Sequence, residues 1–204
     1  MIRTFIIFLL IAFHIRGHVM ERVRVNGRSM TPTLQSGETV WVEKITTGIL
    51  LPEIKFPFRN LLYPKKIPRN GWMLPERFDI VVFSYPGILP EDGRHFIKRV
   101  IALPGEEYEF KENKLFIQGQ ELKESYLADT TTEEPFHKGR FDLPDDLQYA
   151  HPDVLNSAVH GMPARGRVPE GSVIVLGDNR KFSSDSRSMG FIPLFYIEGR
   201  VLFR

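Results

Sequence analysis

Beyond its N-terminus, this 204-residue chain has no stretch with the 3.6-residue apolar period of a long amphipathic helix. Its apolar residues instead fall in short, β-branched or aromatic runs: Glu38–Ile45, Asp79–Tyr85, Phe96–Leu103, Ser172–Leu176 and Tyr196–Phe203. Tyr108–Leu122 reads as a hairpin, with turn chemistry at Glu112-Asn113 and again at Gln118-Gly119. Fifteen prolines and sixteen glycines supply the turns such a pattern needs. The expected fold is mostly β, an antiparallel sheet in one sizeable domain with an appended lobe.

Charge and cysteine usage narrow the chemistry. A net charge of +2 gives no reason to expect nucleic acid as a partner. With no cysteine, thiol catalysis, disulfides and thiolate metal sites are excluded, while the compartment stays open. There is no H-E-x-x-H, and the histidines are irregularly spaced, so no metal site is expected.

The N-terminal run Thr4–Phe13, TFIIFLLIAF, holds ten uncharged residues between Arg3 and His14. A membrane span takes roughly 17–25 apolar residues. The run therefore fits a buried helix or a signal-peptide core, and equally an anchor with a shortened start. Two later stretches break the strand pattern. Gly48–Pro75 carries five prolines among aromatic and basic residues, which suits a loop wrapped on its own core or one lying against anionic lipid. Glu124–Arg167 is polar and turn-rich, an inserted lobe or lid.

Ser29, in Ser29-Met30-Thr31-Pro32-Thr33-Leu34, is either a turn residue or a nucleophile. Gly27-Arg28-Ser29-Met30-Thr31 lacks the last glycine of a nucleophile elbow. A serine triad needs a well-placed histidine, and His95 alone of the six adjoins a core-like strand. Lys98 is the stronger base candidate. Strand alternation puts it on one face with Phe96, Val100 and Ala102. A lysine at a strand end usually points into water; one kept on an apolar face would lose hydration and its pKa would fall. Lowering it from ~10.4 to ~8 costs roughly 3 kcal/mol and leaves a usable fraction as free amine. A third block, Gly177–Arg187, follows the strand SVIVL and concentrates hydroxyl, carboxylate and guanidinium groups at one strand end. It is either a solvated turn or a loop that orients the lysine amine.

In order, these boxes resemble the type I signal peptidase family, the Ser/Lys endopeptidases that remove signal peptides from exported proteins. The matching segments are Ser29–Leu34, Phe78–Phe83, Ile97–Glu106 and Gly177–Arg187, and the resemblance covers nearly the whole chain. It implies Ser29 as nucleophile, Lys98 as general base and Ser183 as a hydrogen-bond partner of the lysine amine. Asp185, Arg187 and Arg99 would form the supporting charge network, and the Ser29 backbone N–H one oxyanion donor. Val23, Val25, Met30, Leu34, Val40, Val82, Phe96 and Ile97 would shape small apolar pockets for Ala-X-Ala-like sequences.

The family pattern further implies an N-terminal anchor over 1–20 and a catalytic β domain over 21–204, with 106–167 as an inserted hairpin or cap lobe. The enzyme would be a single-pass protein of the bacterial cytoplasmic (inner) membrane, monomeric, its catalytic domain on the extracytoplasmic face. Its partners would be preproteins and the lipid bilayer, with no cofactor. Self-cleaving repressors share the Ser/Lys chemistry, but they need a DNA-binding domain and an internal cleavage segment, and neither is recognisable here. Two positions depart from the pattern. Gly27 offers no hydroxyl where some members carry a second oxyanion donor, and Phe78 replaces the usual glycine before Asp79.

Overall fold

The computed structural model describes residues 20–44, 74–84, 95–111, 114–127, 153, 156–157 and 161–203. Eleven strands are found among them: β1 (Met20–Arg24), β2 (Thr39–Glu43), β3 (Ile80–Ser84), β4 (His95–Ala102), β5 (Glu107–Lys111), β6 (Lys114–Ile117), β7 (Gln120–Glu121), β8 (Arg165–Arg167), β9 (Ser172–Leu176), β10 (Ile192–Pro193) and β11 (Ile197–Phe203). A one-turn helix, α1, covers Ser186–Met189. The strands form an antiparallel seven-stranded sheet, β1-β2-β11-β3-β4-β9-β10, and a four-stranded sheet, β7-β6-β5-β8.

Period-2 alternation divides the large sheet between two cores. On β3, Val81 and Phe83 join one cluster while Val82 joins the other. The larger cluster binds the sheets together: Val100, Val173, Ile174 and Leu176 pack with Tyr108, Leu115 and Ile117 of the small sheet. The smaller cluster holds Val25, Met30, Leu34, Val40, Val42, Val82 and Ile97. Each fully buried side chain of this kind contributes about 1.5–3 kcal/mol. Register shifts on β11 and at Val100/Ala102 on β4 increase the local twist. Gly199 lies at one such shift, where a Cβ would stand 2.4 Å from Val42 Cγ1 and 2.6 Å from the Glu43 carbonyl oxygen.

The mostly β expectation agrees with this architecture, and the strands read from sequence recur within one or two residues of their ends. The small sheet is built from parts of the 106–167 segment. The expected anchor over 1–20 lies outside the described residues except for Met20, which opens β1 rather than ending a helix. Among the described residues no helix is long and apolar enough to cross a membrane. The basic, aromatic stretch Gly48–Pro75 also lies outside the described residues, apart from its last two.

Candidate active site

Ser29 stands in the loop from β1 to β2. The base of this loop is closed by Val25 N–H donating to the Glu38 carbonyl (2.8 Å) and Gly37 N–H donating to the Val25 carbonyl (2.8 Å). Its interior turns back on itself, with Thr31 N–H donating to the Arg28 carbonyl (3.2 Å) and Leu34 N–H to the Met30 carbonyl (2.9 Å), and buried Met30 and Leu34 staple it to the smaller core. The turn contains a cis Thr31–Pro32 bond. Ser29 is thereby left half-buried on a loop whose apolar neighbours are committed to the core.

Lys98 comes from β4 and is only 3% exposed. Its Nζ donates to Ser29 Oγ at 2.8 Å and to the Ile97 carbonyl at 3.0 Å, and lies 5.7 Å from the Phe96 ring centroid. Burial lowers its pKa to about 8; Asp185 and Asp178 oppose that shift, and Arg187 adds to it. At pH 7 about one amine in ten is therefore neutral and able to accept a proton.

Asp185 is fully buried at the N-terminal end of α1. Burial alone would push its carboxyl up, but Arg187 and the Gly177 N–H hold it below the ordinary carboxylate value. Arg187 donates through Nε to Oδ1 (2.9 Å) and through Nη2 to Oδ2 (3.0 Å), and Gly177 N–H donates to Oδ2 at 2.9 Å. Ser183 Oγ lies near enough to this carboxylate to favour its ionised form, yet it is buried without a well-formed hydrogen bond.

Arg99 belongs to a different network from the one the sequence suggested. Its fork grips Asp178 (Nε to Oδ1, 2.9 Å; Nη2 to Oδ2, 2.6 Å), while Nη1 donates to the Phe78 carbonyl at 2.9 Å. Thr33 Oγ1 donates to Asp178 Oδ2 at 2.5 Å. Next to it, Asn179 N–H donates to the Ser29 carbonyl (2.9 Å) and Asn179 Nδ2 to Thr31 Oγ1 (2.9 Å). Asp178 and Asn179 thus fasten the end of β9 to the serine loop. Sequence reasoning left both, with Thr33, without a role; the only signal was the alternation of carboxylates and guanidiniums from Asp178 to Arg187.

Of the eight expected pocket residues, Val23, Val25, Met30, Leu34, Val40, Val82 and Ile97 come together in or against the smaller core. Phe96 does not. It stacks on Phe83 at 5.4 Å and packs on the other cluster, because its strand position faces away from Ile97. Gly27, at φ +96°, donates its N–H to Ser36 Oγ at 3.2 Å, and a Cβ there would have no heavy atom within 4 Å.

A two-sheet β domain that presents a serine hydroxyl to a buried amine has the layout of a serine peptidase. The family model "Signal peptidase, peptidase S26" matches residues 1–204. A probable signal peptidase I-1 from Synechocystis is 32% identical over 96% of this chain and 76% of its own length. A signal peptidase I from Bacillus caldolyticus is 31% identical over 93% of this chain and 81% of its own length. The crystal structure of a signal peptidase I from Enterococcus faecalis V583 is 34% identical, covering 63% of this chain and 97% of that one with a TM-score of 0.41. The chain belongs to the signal peptidase family, peptidase S26, and is a serine peptidase.

Proposed function

We propose that this protein removes N-terminal signal peptides from exported preproteins through a Ser29/Lys98 dyad. The observation that carries the reading is the 2.8 Å contact between Ser29 Oγ and the buried Lys98 amine, whose pKa is lowered to about 8. In the neutral form that amine takes the Ser29 proton as Oγ attacks the scissile carbonyl. The resulting ammonium then protonates the departing amine as the C–N bond breaks, leaving an acyl-serine ester. Water then attacks the ester, giving its proton to Lys98, and the ammonium returns that proton to Ser29 Oγ as the acyl C–O bond breaks, restoring the serine and the free amine.

Ser183 fits the role of orienting the amine, since its buried hydroxyl makes no well-formed hydrogen bond and lies by the Asp185 carboxylate that faces Lys98. Asp185 with Arg187, and Arg99 with Asp178, are the fixed charges around the amine. The Ser29 N–H would supply one oxyanion donor; with the Gly27 N–H held by Ser36, the second falls to another backbone group or to water. By the family resemblance, small apolar pockets beside the serine loop would take alanine-sized side chains before the cut and exclude larger ones by clash; Met30, Leu34, Val40, Val82 and Ile97 are buried in one cluster there. On this reading the residues before β1 anchor the enzyme, as a single-pass monomer, in the bacterial cytoplasmic membrane with its site on the extracytoplasmic face.

The test is cleavage of a preprotein carrying an Ala-X-Ala-like site by the wild type, Ser29→Ala and Lys98→Ala. Both variants should lose the activity, and full activity in Lys98→Ala would sink the dyad. Carbonate extraction tests the anchor: release by carbonate without detergent would rule out a span.

A further inference from the structure

The segment that leaves β7, residues 122–127, runs from the small sheet to the catalytic half of the molecule. It starts in the larger core, with Leu122 N–H donating to the Leu115 carbonyl at 2.7 Å. Two side chains further on, Glu124 and Tyr126, then engage the buried Arg99 and the partly buried Arg180. The Tyr126 ring lies under the Arg99 guanidinium at 4.1 Å, and its hydroxyl donates to Glu124 Oε1 at 2.5 Å. The same Glu124 oxygen accepts from Arg180 Nη2. Glu124 is 9% and Arg180 13% exposed at the side chain, so this ion pair is largely withdrawn from water.

Each arginine is tied to the reaction centre. Arg99 follows Lys98 on β4 and grips Asp178, which also takes the Thr33 hydroxyl from the serine loop. Arg180 Nε donates to the Gly177 carbonyl at 3.1 Å, and the Arg180 carbonyl accepts from Arg187 Nη2 at 2.7 Å. The segment therefore braces both sides of Gly177-Asp178-Asn179, the stretch whose Asn179 N–H holds the Ser29 carbonyl.

Phe78 closes the far side of the same cluster. Its ring meets Tyr126 edge-on at 5.7 Å, and its carbonyl accepts from Arg99. It does so at φ +74°, a left-handed conformation that a phenylalanine adopts only under constraint. A glycine would take this backbone without strain, but it would leave Tyr126 and Arg99 uncovered.

We propose that Glu124 and Tyr126, capped by Phe78, are positioning residues for the peptidase reaction, holding Arg99 and Arg180 so that Asp178 and Asp185 stay fixed around the Ser29–Lys98 pair. The inference rests on the dyad reading for its kinetic consequence. Lys98 is faced by Asp185 from the turn before α1, Asp178 from the turn after β9, Arg187 from α1 and Ser29 from the β1–β2 loop. Releasing Arg99 from Tyr126 loosens its neutralisation of Asp178 and admits water, and both changes favour the charged amine.

The experiment combines preprotein-cleavage kinetics with the titration of the Lys98 side chain by NMR of lysine-labelled protein, its signal assigned with Lys98→Met. Tyr126→Leu should lower kcat by about 10²-fold with little change in KM. It should also move the Lys98 midpoint upward by about one unit. Tyr126→Phe, which keeps the ring over Arg99, should recover most of the lost rate; Glu124→Gln and Phe78→Gly should shift both readouts in the same direction but less. Wild-type kcat and an unmoved midpoint in Tyr126→Leu would overturn the proposal. So would a rate loss that only follows a fall in melting temperature while the midpoint stays put. Should Tyr126→Leu not fold, unmoved midpoints in both Glu124→Gln and Phe78→Gly would overturn it. The titration needs no turnover, so an active Lys98→Ala enzyme would defeat the dyad while leaving a Tyr126-dependent midpoint to support the brace.

Discussion

The backbone N–H of Asn179 donates to the carbonyl of Ser29 at 2.9 Å, so the end of β9 and the serine loop are held together by main chain and not only by side chains. The Asn179 amide reinforces the joint through Thr31 Oγ1. Asn179→Ala keeps the main-chain bond and removes the side-chain one. It should lower kcat about tenfold through misplacement of Ser29 while changing stability by about 1 kcal/mol. Steady-state kinetics beside urea unfolding would check both.

Gly177 is the tightest point of the site. A Cβ on this residue would lie 2.2 Å from Ser183 Oγ and 2.6 Å from the Ser29 carbonyl oxygen. Gly177→Ala should therefore cut kcat by at least about 10²-fold. Adding Ser183→Ala removes the clash with Oγ but leaves those with the residue-183 Cβ, at 2.5 Å, and with the Ser29 carbonyl, so the double variant should stay impaired; recovery of the rate would show that the Ser183 hydroxyl alone was displaced.

The Lys98 pKa of about 8 sets the pH dependence. Under the proposed dyad the free amine is the base, so kcat/KM should fall about tenfold per unit below an apparent pKa near 8 and level off above it. A profile flat from pH 6 to 9 would rule Lys98 out as the titrating base.

The same shift has a thermodynamic sign. The folded protein binds the Lys98 proton more weakly than the unfolded chain, whose lysine titrates at 10.5. Stability therefore carries the full penalty, about 3 kcal/mol, below pH 8 and recovers as pH rises towards 10.5. Lys98→Met should be inactive yet about 1–3 kcal/mol more stable at pH 7, the lost hydrogen bonds offsetting part of the gain. Urea titrations at pH 7 and pH 10.5 should show that advantage shrinking.

Arg99 and Asp178 form a buried pair with side chains 10% and 0% exposed. Asp178→Ala would strand the guanidinium and cost about 3–5 kcal/mol. Arg99→Met combined with Asp178→Ala should cost less than the two single changes added together, a coupling that denaturation of the four proteins would measure.

Strands β2, β3, β4, β9 and β11 were legible because half-buried and buried strands leave local marks: β-branched runs, period-2 alternation and turn residues at their ends. The β5–β6–β7 turns were legible for the same reason. Strands β1 and β8 were not, since Met20–Arg24 and Arg165–Arg167 are largely polar and exposed and become strands only by pairing with β2 and β5. Lys98 stood out because a lysine inside FIKRVIAL conflicts with its surroundings. Tyr126 and Glu124 gave no such conflict, as polar residues in a polar stretch.

By itself, the sequence determined the β class of the fold, the serine and the lysine, and the order of the boxes that carry them. Tertiary structure decided the partners. It brought Ser29 within 2.8 Å of a lysine 69 residues away, and gave Arg99 to Asp178 rather than to Asp185. The physical reason is that strand formation answers to local periodicity, whereas a charge or hydroxyl has no local preference among several compatible partners. The twist and register of the sheets settle which partner lies within hydrogen-bond reach.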